Sequence, residues 1–347
     1  MYEVTERRLA RWTTLRLGGE AARLVIVTTD AGLCAMAEAA DARVEPFTVL
    51  GSGSNVVVGD AGLNGTVAVV RTRGISATSL DTGKVAFTAA AGEQLADLVA
   101  WSVAERLAGL ECLAGIPGTV GATPIQNVGA YGQEVSDTLH AVRAFDRKLR
   151  RTVTLPAAQC AFGHRTSLFR HTDRWLLLSV TFHLRPSRLS TPIRHAEVAR
   201  SLGNEVGGRV PIELIPDAVT AIRRVKGMVL SPDDPDTRSV GSFFANPVVT
   251  ADQAKDVRRR IGSAPPQWPE RGNVKLSAGW LVERAGWCRG DGVGAVRIST
   301  KHALALTNPG GGTTQQLLDL AGRIRTGVRQ LSGVLLEPEP RFLGCAL

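Results

Sequence analysis

A glycine-rich stretch in the first half of the chain decides the fold. It reads GIPGTVGA at residues 115–122 and continues as QNVGAYG at residues 126–132. Glycine lets a backbone approach a flat ligand or a pyrophosphate closely, because no side chain holds the two apart. The stretch is apolar between its glycines and prolines, so we expect an ordered, buried loop. A kinked structural crossover would have the same composition.

A second small-residue loop, GSGSN at residues 51–55, follows a predicted strand at Phe47–Leu50. Its successive backbone N–H groups could bind one anion such as a phosphate, although an ordinary tight turn can have the same sequence. The spacing is not that of the Rossmann fingerprint, and Val56–Val58 predicts a strand where that fold needs a helix. Two such loops in one domain favour a dinucleotide ligand.

The rest of the pattern predicts an α+β fold with more than one domain. A length of 347 residues is typical of two or three domains. At the front, residues 24–29 predict a strand and residues 31–40 a helix. Further along we expect β-hairpins at 66–91, a helix at 93–108, strands at 139–183, mostly helix at 193–229, helices at 250–261, 275–286 and 313–332, and a closing strand at 334–337. This order favours a cofactor domain followed by a substrate domain.

Composition excludes several classes of protein. Hydrophobic residues make up 44% and charged residues 21%, which is the balance of a globular chain and excludes wholesale disorder. No apolar run reaches the roughly 18 residues that suggest a membrane span, and Met1–Arg8 lacks the apolar region of a secretory signal. The five scattered cysteines predict no disulfide framework, so we expect a cytoplasmic protein.

The net charge of +9 fits a nucleic acid or an anionic small molecule as the ligand. The basic residues are spread along the chain, so we expect no nucleic-acid partner and a site for a small anion. The six histidines show no metal-ligand spacing, so we expect no metal site.

Three polar residues in short motifs could carry chemistry. Arg165 in FGHR could bind a carboxylate through two hydrogen bonds, although a surface salt bridge is the commoner role of an arginine. Ser242 in GSFFANP could deliver a proton in a dry pocket, and the absence of a GxSxG motif argues against a hydrolase nucleophile. Glu339 in EPEPR could act as an acid or form an ion pair with the nearby arginine.

Taken together, these motifs resemble the UDP-N-acetylenolpyruvoylglucosamine reductase family, known as MurB. The resemblance spans nearly the whole chain and rests on seven strings in the family's order. They are Leu50–Asn55, Gly109–Gln133, Phe162–Phe169, Lys226–Asn246, Lys275–Gly286, Ser299–Asn308 and Leu336–Gly344. The resemblance implies a peptidoglycan-precursor enzyme with an FAD-binding domain of the vanillyl-alcohol-oxidase (PCMH) type and a smaller α+β substrate-binding domain.

The resemblance also implies domain boundaries. Residues 1–65 and 66–200 would form two FAD-binding subdomains, residues 201–330 the substrate-binding domain, and residues 331–347 a C-terminal strand that carries Glu339.

The family reaction implies roles for individual residues. NADPH would reduce non-covalently bound FAD, and hydride would then pass to the β-carbon of a UDP-linked enolpyruvyl sugar. Ser242 would protonate the α-carbon, while Arg165 and Glu339 would polarise the substrate carboxylate. The FAD-binding residues implied are Gly51, Ser52, Gly53, Ser54, Asn55, Pro117, Gly118, Thr119, Gly121, Ala122, Gln126, Asn127, Gly129, Ala130, Tyr131 and Gly132. The substrate-binding residues implied are His164, His195, Lys226, Asn246 and Arg341.

Two positions depart from the family pattern. His164 and His195 stand where the resemblance leads us to expect substrate-facing tyrosines. Imidazole can also stack and donate hydrogen bonds, so the family reaction could survive the change. The alternative is a paralogue that reduces a different enolpyruvyl nucleotide. A flavin oxidase or an inactive nucleotide sensor is disfavoured, because Arg165, Ser242 and Glu339 are all present. We expect a monomer.

Overall fold

The computed structural model describes all residues from Met1 to Leu347. The chain forms two compact units. The first contains Met1–Arg7, Ala21–Gly53 and Asn64–Val229, and the second contains Arg8–Glu20, Ser54–Leu63 and Leu230–Leu347. None of the helices combines the length and the apolar character needed to cross a lipid bilayer.

Seven α-helices and twenty strands make up the two units. The helices are α1 (Asp30–Ala42), α2 (Leu95–Ala104), α3 (Ala196–Ser201), α4 (Leu214–Val225), α5 (Ala251–Ile261), α6 (Ala278–Arg284) and α7 (Thr314–Ser332). The strands are β1 (Tyr2–Glu3), β2 (Ala21–Val27), β3 (Phe47–Leu50), β4 (Val56–Val58), β5 (Leu63–Val70), β6 (Ile75–Ser79), β7 (Val85–Ala90), β8 (Leu107–Ala108), β9 (Gly129–Ala130), β10 (Gln133–Glu134), β11 (Leu139–Asp146), β12 (Arg151–Pro156), β13 (Trp175–Pro186), β14 (Val248–Val249), β15 (Gln267–Glu270), β16 (Asn273–Leu276), β17 (Gly292–Val293), β18 (Val296–Ile298), β19 (Leu306–Thr307) and β20 (Arg341–Leu343).

The first unit is built from two large sheets and the short antiparallel pair β9-β10. One has the order β1-β2-β5-β3, and the other has the order β12-β11-β13-β7-β6 with β8 paired to the end of β13. Helix α1 begins at Asp30, and the Thr29 hydroxyl accepts a hydrogen bond from the Gly32 backbone N–H as its N-cap. Its buried Leu33 and Ala37 share a hydrophobic cluster with residues of both sheets. Apolar burial around α1 therefore joins the two sheets.

The second unit packs helices on small sheets. Strands β14-β16-β15 and β17-β18-β19 form two antiparallel sheets, and β20 pairs in parallel with β4. Helix α7 is the longest, and it begins at a capping box formed by Thr313 and Gln316. Its Leu320 and Ile324 are buried in one cluster with Phe243 and Phe244. These two aromatic side chains anchor the segment that follows Gly241 in the core, and so help to fix the position of Ser242.

The observed elements differ from the expected ones in four places. Residues 193–229 are not mostly helical, because residues 202–213 form a non-helical segment between α3 and α4. The hairpin in residues 66–91 is formed by β6 and β7, while β5 pairs in parallel with β3. Residues 275–286 are not one helix, because Ser277 caps a shorter helix that begins at Ala278. The closing strand is β20, so Glu339 lies just before the strand and not on it.

The compact units also group residues differently from the predicted domain boundaries. Residues 201–229 belong to the first unit and not to the second. The reason is the packing of α4, whose buried Ile215 and Val219 lie in one cluster with Leu113 and Phe182.

Candidate active site

The two glycine-rich loops touch each other within the first unit. A Cβ atom added to Gly51 would lie 2.4 Å from the Oγ1 of Thr119. Only glycine, which has no Cβ, avoids this collision. The Ser52 hydroxyl donates to the Oε1 of Gln94 at 3.1 Å, and Arg71 donates to the Gly51 carbonyl at 3.0 Å. Loops predicted from separate parts of the sequence are therefore brought into contact.

Close backbone packing also fixes the second loop. A Cβ atom on Gly121 would lie 2.6 Å from the Cβ of Ala91, and Gly118 has φ = 141°, which favours glycine. Buried Asn127 donates to Glu134 at 2.8 Å and to the Gly163 carbonyl at 3.2 Å, while its Oδ1 accepts from Ser136. The Asn127 side chain is therefore bonded within the chain and sets the geometry of the loop.

The FGHR turn that carries Arg165 is tied to the same loop. The Ser167 hydroxyl donates to the Ile125 carbonyl at 2.7 Å, and Asn127 holds the Gly163 carbonyl. Gly163 and Thr166 pair across the turn, and Arg165 at its tip has φ = 52°, a left-handed conformation that is uncommon outside glycine. The first unit thus brings Arg165, His164 and the predicted cofactor loop together.

Arg223 supplies a test of whether these loops fit a flavin. Its Nη2 donates to the Met228 carbonyl at 2.9 Å, but its buried Nε–H has no hydrogen-bond partner in the chain. Burial lowers the pKa of this guanidinium, and no carboxylate pairs with it. A Cβ atom on Gly115 would lie 3.4 Å from this Nε, so the glycine leaves space beside the arginine. A buried N–H donor without a partner beside a glycine-rich loop fits a ligand that carries hydrogen-bond acceptors, such as the carbonyl oxygens and ring nitrogens of a flavin.

Three more side chains cluster around Tyr131 in the first unit. The Tyr131 and His195 rings meet edge to face, with centroids 5.0 Å apart. The Lys226 Nζ lies 5.7 Å from the centre of the Tyr131 ring and 2.5 Å from the Oε2 of Glu197. Burial raises the pKa of Tyr131 and lowers the pKa of His195, so a neutral imidazole faces a neutral phenol. His195 and Lys226, which the sequence separates, are here side by side.

The second unit places Ser242 and Glu339 on neighbouring segments. Ser242 pairs with Ala305, and the backbone N–H of Glu339 donates to the Phe243 carbonyl at 2.9 Å. Phe243 in turn donates to the Leu304 carbonyl at 2.7 Å, so the serine segment lies between two others. A hydroxyl group and a carboxyl group thus stand on adjacent, hydrogen-bonded backbones.

Asn55 and Arg341 lie next to Glu339 in the same unit. The Asn55 carbonyl accepts from the Arg341 N–H at 3.0 Å, and the Asn55 Nδ2 donates to the Glu339 carbonyl at 3.4 Å. Asn246 lies elsewhere on this unit's framework, where its Oδ1 accepts from the Ala278 N–H at the start of α6. Asn55, predicted from the sequence as a pyrophosphate ligand, therefore also fixes the backbone of the carboxylate segment.

Sequence reasoning missed Arg223 and Glu197. The available signal for Arg223 was its spacing, because it follows the buried Ile215 and Val219 at intervals of four on the apolar face of α4. An arginine on such a face needs a partner. Glu197 gave no local signal, because its partner Lys226 lies 29 positions away.

Comparison with known families defines the class of protein. Residues 21–148 match the FAD binding domain family. Residues 233–343 match the family described as UDP-N-acetylenolpyruvoylglucosamine reductase, C-terminal domain. The fold and the two matches together define an FAD-binding oxidoreductase with a second, C-terminal domain.

Similar proteins narrow the class to one family. The UDP-N-acetylenolpyruvoylglucosamine reductase of Thermobifida fusca is 49% identical over 346 residues, which are 98% of this chain and 97% of that protein. The enzyme of the same name from Salinispora arenicola is 49% identical over 348 residues, 99% of this chain and 96% of that protein. The crystal structure of the reductase (MurB) from Thermus caldophilus matches 99% of this chain and 100% of its own chain, with a TM-score of 0.66 and 25% identity. This chain belongs to the UDP-N-acetylenolpyruvoylglucosamine reductase family. The predicted resemblance, the fold class and FAD as the cofactor are confirmed.

Proposed function

We propose that this chain reduces the enolpyruvyl ether of UDP-N-acetylglucosamine to UDP-N-acetylmuramate, a peptidoglycan precursor, with NADPH as the reductant. The observation that carries the proposal is the arrangement of Ser242 and Glu339 on hydrogen-bonded neighbouring segments. Full-length identity of 49% to reductases of this name supports it.

Different residues of the chain are assigned to different steps of the reaction. FAD, held by the loops at residues 51–55 and 115–132, would supply the hydride chemistry between NADPH and the β-carbon of the enol ether. Ser242 donates its hydroxyl proton to the α-carbon, so that the double bond gains one hydride and one proton. Negative charge develops on the carboxylate side of the substrate before this proton arrives. The Arg165 guanidinium and the carboxylic-acid form of Glu339 would each donate hydrogen bonds to that carboxylate and so stabilise the charge.

Within each unit, taken separately, side chains are assigned to contacts with the anionic substrates. In the first unit, Lys226 and His195 lie against Tyr131 and offer a cation and an N–H donor for phosphate oxygens. His164 lies in the turn that carries Arg165. In the second unit, we assign Asn246 and Arg341 to substrate contacts. The net charge of +9 favours anionic substrates in general.

A second candidate function differs only in the substrate. His164 and His195 replace the tyrosines that the family pattern leads us to expect, and both residues lie in the first unit. A paralogue that reduces another enolpyruvyl nucleotide would keep Ser242 and Glu339 and change such contacts.

Anaerobic stopped-flow absorbance tests the proposal. The FAD-loaded protein is first reduced with NADPH and then mixed with UDP-N-acetylglucosamine enolpyruvate, and the visible flavin band reports reoxidation. Rapid reoxidation is the expected result. Rapid reduction without reoxidation would favour the paralogue, and a protein that takes up no FAD would contradict both candidates.

We also infer that the protein acts in the cytoplasm as a monomer. NADPH and a UDP-linked sugar are its proposed co-substrates, and all five cysteines are free, as is usual in a reducing compartment. Light scattering after size-exclusion chromatography would contradict the monomer if it gave a mass of twice 36.8 kDa.

A further inference from the structure

Glu197 contacts two of the residues assigned to substrate binding. Its carboxylate Oε2 lies 2.5 Å from the Nζ of Lys226, and its backbone N–H donates to the Nδ1 of His195 at 3.3 Å. It is a residue of the short helix α3, and Lys226 ends helix α4, which packs against α3. One acidic residue therefore connects a lysine and a histidine that stand 31 positions apart in the sequence.

The ion pair holds the lysine in one defined place. Lys226 is about one-third exposed, with 33% of its side chain accessible, so solvent alone would leave its long chain many rotamers. Glu197 and the Tyr131 ring face the ammonium from two different elements. An ammonium has three N–H donors, and Glu197 accepts only one, so two remain for oxygens of a phosphate.

The backbone N–H at position 197, as part of the N-cap of α3, fixes which nitrogen of His195 carries a proton. Because Nδ1 accepts from the Glu197 N–H, the neutral ring must carry its proton on Nε2. Burial and the charge of Lys226 lower the pKa of His195, whereas the charge of Glu197 raises it. His195 thus presents an Nε2–H donor beside the lysine.

We propose that Glu197 is a positioning residue whose carboxylate holds Lys226, beside the Nε2–H donor of His195, ready for the phosphates of the anionic substrates. This inference rests on the proposed function, since it deepens the role given there to Lys226. A flexible lysine must lose its rotamer freedom when a ligand binds, which weakens binding. Glu197 imposes that order before the ligand arrives, so its effect falls on KM and not on the chemical step.

A double-mutant cycle tests whether Glu197 acts through Lys226. The variants are Glu197→Gln, Lys226→Met and the double variant, with steady-state kinetics for both substrates. Glu197→Gln is expected to raise KM roughly 3- to 10-fold, the cost of ordering one long side chain, with kcat changed by less than about twofold. In the Lys226→Met background the same substitution should raise KM no further. An unchanged KM, or an equal rise in both backgrounds, would overturn the proposal.

Control variants separate positioning from loss of the fold. Glu205→Gln removes the same charge from an exposed residue eight positions away and should leave KM unchanged. Glu197→Asp keeps the charge on a shorter chain, so its KM should lie between the wild-type and Glu197→Gln values. If Glu197→Gln does not fold, Glu197→Asp replaces it in the cycle, and a KM equal to wild type then counts against the proposal.

The outcome remains interpretable if the proposed reaction fails. Should the wild type not turn over the enolpyruvyl nucleotide, calorimetric titration of the FAD-loaded protein with UDP alone replaces KM. Weaker UDP binding by Glu197→Gln, but not in the Lys226→Met background, would support the positioning role. Equal binding by Glu197→Gln and the wild type would overturn it, whatever the true substrate is.

Discussion

At the scale of single residues, a substitution at Ser242 should distinguish flavin reduction by NADPH from flavin reoxidation by the enolpyruvyl nucleotide. Replacing Ser242 by alanine removes the proposed proton donor and leaves the loops of the first unit untouched. NADPH should still reduce the flavin at the wild-type rate, while reoxidation by the enolpyruvyl nucleotide should slow by roughly 10²- to 10⁴-fold, as for loss of a general acid. Single-turnover absorbance measures both steps, and Ser263→Ala is the matched control in the same unit. Unchanged reoxidation in Ser242→Ala would remove the serine from this role.

Gly51 makes the contact between the glycine loops testable. In Gly51→Ala, the new Cβ would lie 2.4 Å from the Thr119 Oγ1, so the loops must separate and FAD should bind more weakly. We expect a flavin content well below one per chain after gel filtration. Adding Thr119→Ala removes the colliding atom, because the Thr119 Cβ lies 3.5 Å away, and should restore much of the flavin. Equal flavin content in wild type and Gly51→Ala would show that the loops do not hold the cofactor.

The residues of the site were predictable from sequence to different degrees. The glycine-rich loops can be recognised in the sequence, because only residues without side chains allow the contacts at Gly51 and Gly121. The motifs around Ser242 and Glu339 left other roles open, and the family resemblance was needed to choose among them. These two residues lie on adjacent backbones, where long-range hydrogen bonds place them. The internal bonds of Asn127 were not predictable, because Gly163 is 36 positions away. Local spacing carries no information about such partners.

At the scale of elements, strong periodicity and caps were predicted well. The helix expected at 313–332 is found at Thr314–Ser332, because its buried stripe and its capping box agree. The strand expected at 334–337 was wrong. Val334 and Leu336 are instead buried in the core of the second unit, and the strand forms later, where Arg341–Leu343 meets Val56–Val58. An apolar run predicts burial, but pairing depends on a partner from a distant segment.

The contribution of the N-cap of helix α7 to stability can be measured directly. The Thr313 hydroxyl accepts from the Gln316 N–H at 3.2 Å, and the Gln316 side-chain Oε1 accepts from the Thr313 N–H. Thr313→Ala should therefore lower the free energy of unfolding by about 1 kcal/mol, the usual value of a threonine N-cap. Thr326→Ala, in the exposed middle of the same helix, is the control and should be neutral or slightly stabilising. Urea denaturation measures both, and equal effects would contradict the capping role.

At the scale of the whole molecule, each compact unit has its own buried core, and polar contacts set the residues of the site on these cores. The first unit buries Phe87 and Phe182, and the second buries Phe243 and Phe244. Burial of this kind supplies most of the stability of either unit. The polar contacts add to this stability, and those between ionisable groups depend on pH. A change of pH therefore alters the polar contacts, whereas the burial of apolar side chains does not change.

A stacked pair of histidines should link global stability to pH. His140 on β11 and His183 on β13 stack with ring centroids 3.7 Å apart. Burial, His140 and Lys84 lower the pKa of His183 below its usual value, so the unfolded chain takes up a proton more readily than the folded one. The contribution of His183 is then complete above about pH 6.5 and declines as the pH falls through that value.

Because solvent screens this half-exposed pair, the loss should stay below about 1 kcal/mol. Urea denaturation at pH 7.5 and pH 5.0 measures it, and His183→Asn should flatten this part of the pH dependence, because asparagine does not titrate. His302→Asn, in the second unit, is the control for a histidine outside the pair. A pH dependence that is the same in wild type and His183→Asn would show that the stacked pair does not sense protons, and the acid sensitivity would then belong to the carboxylates.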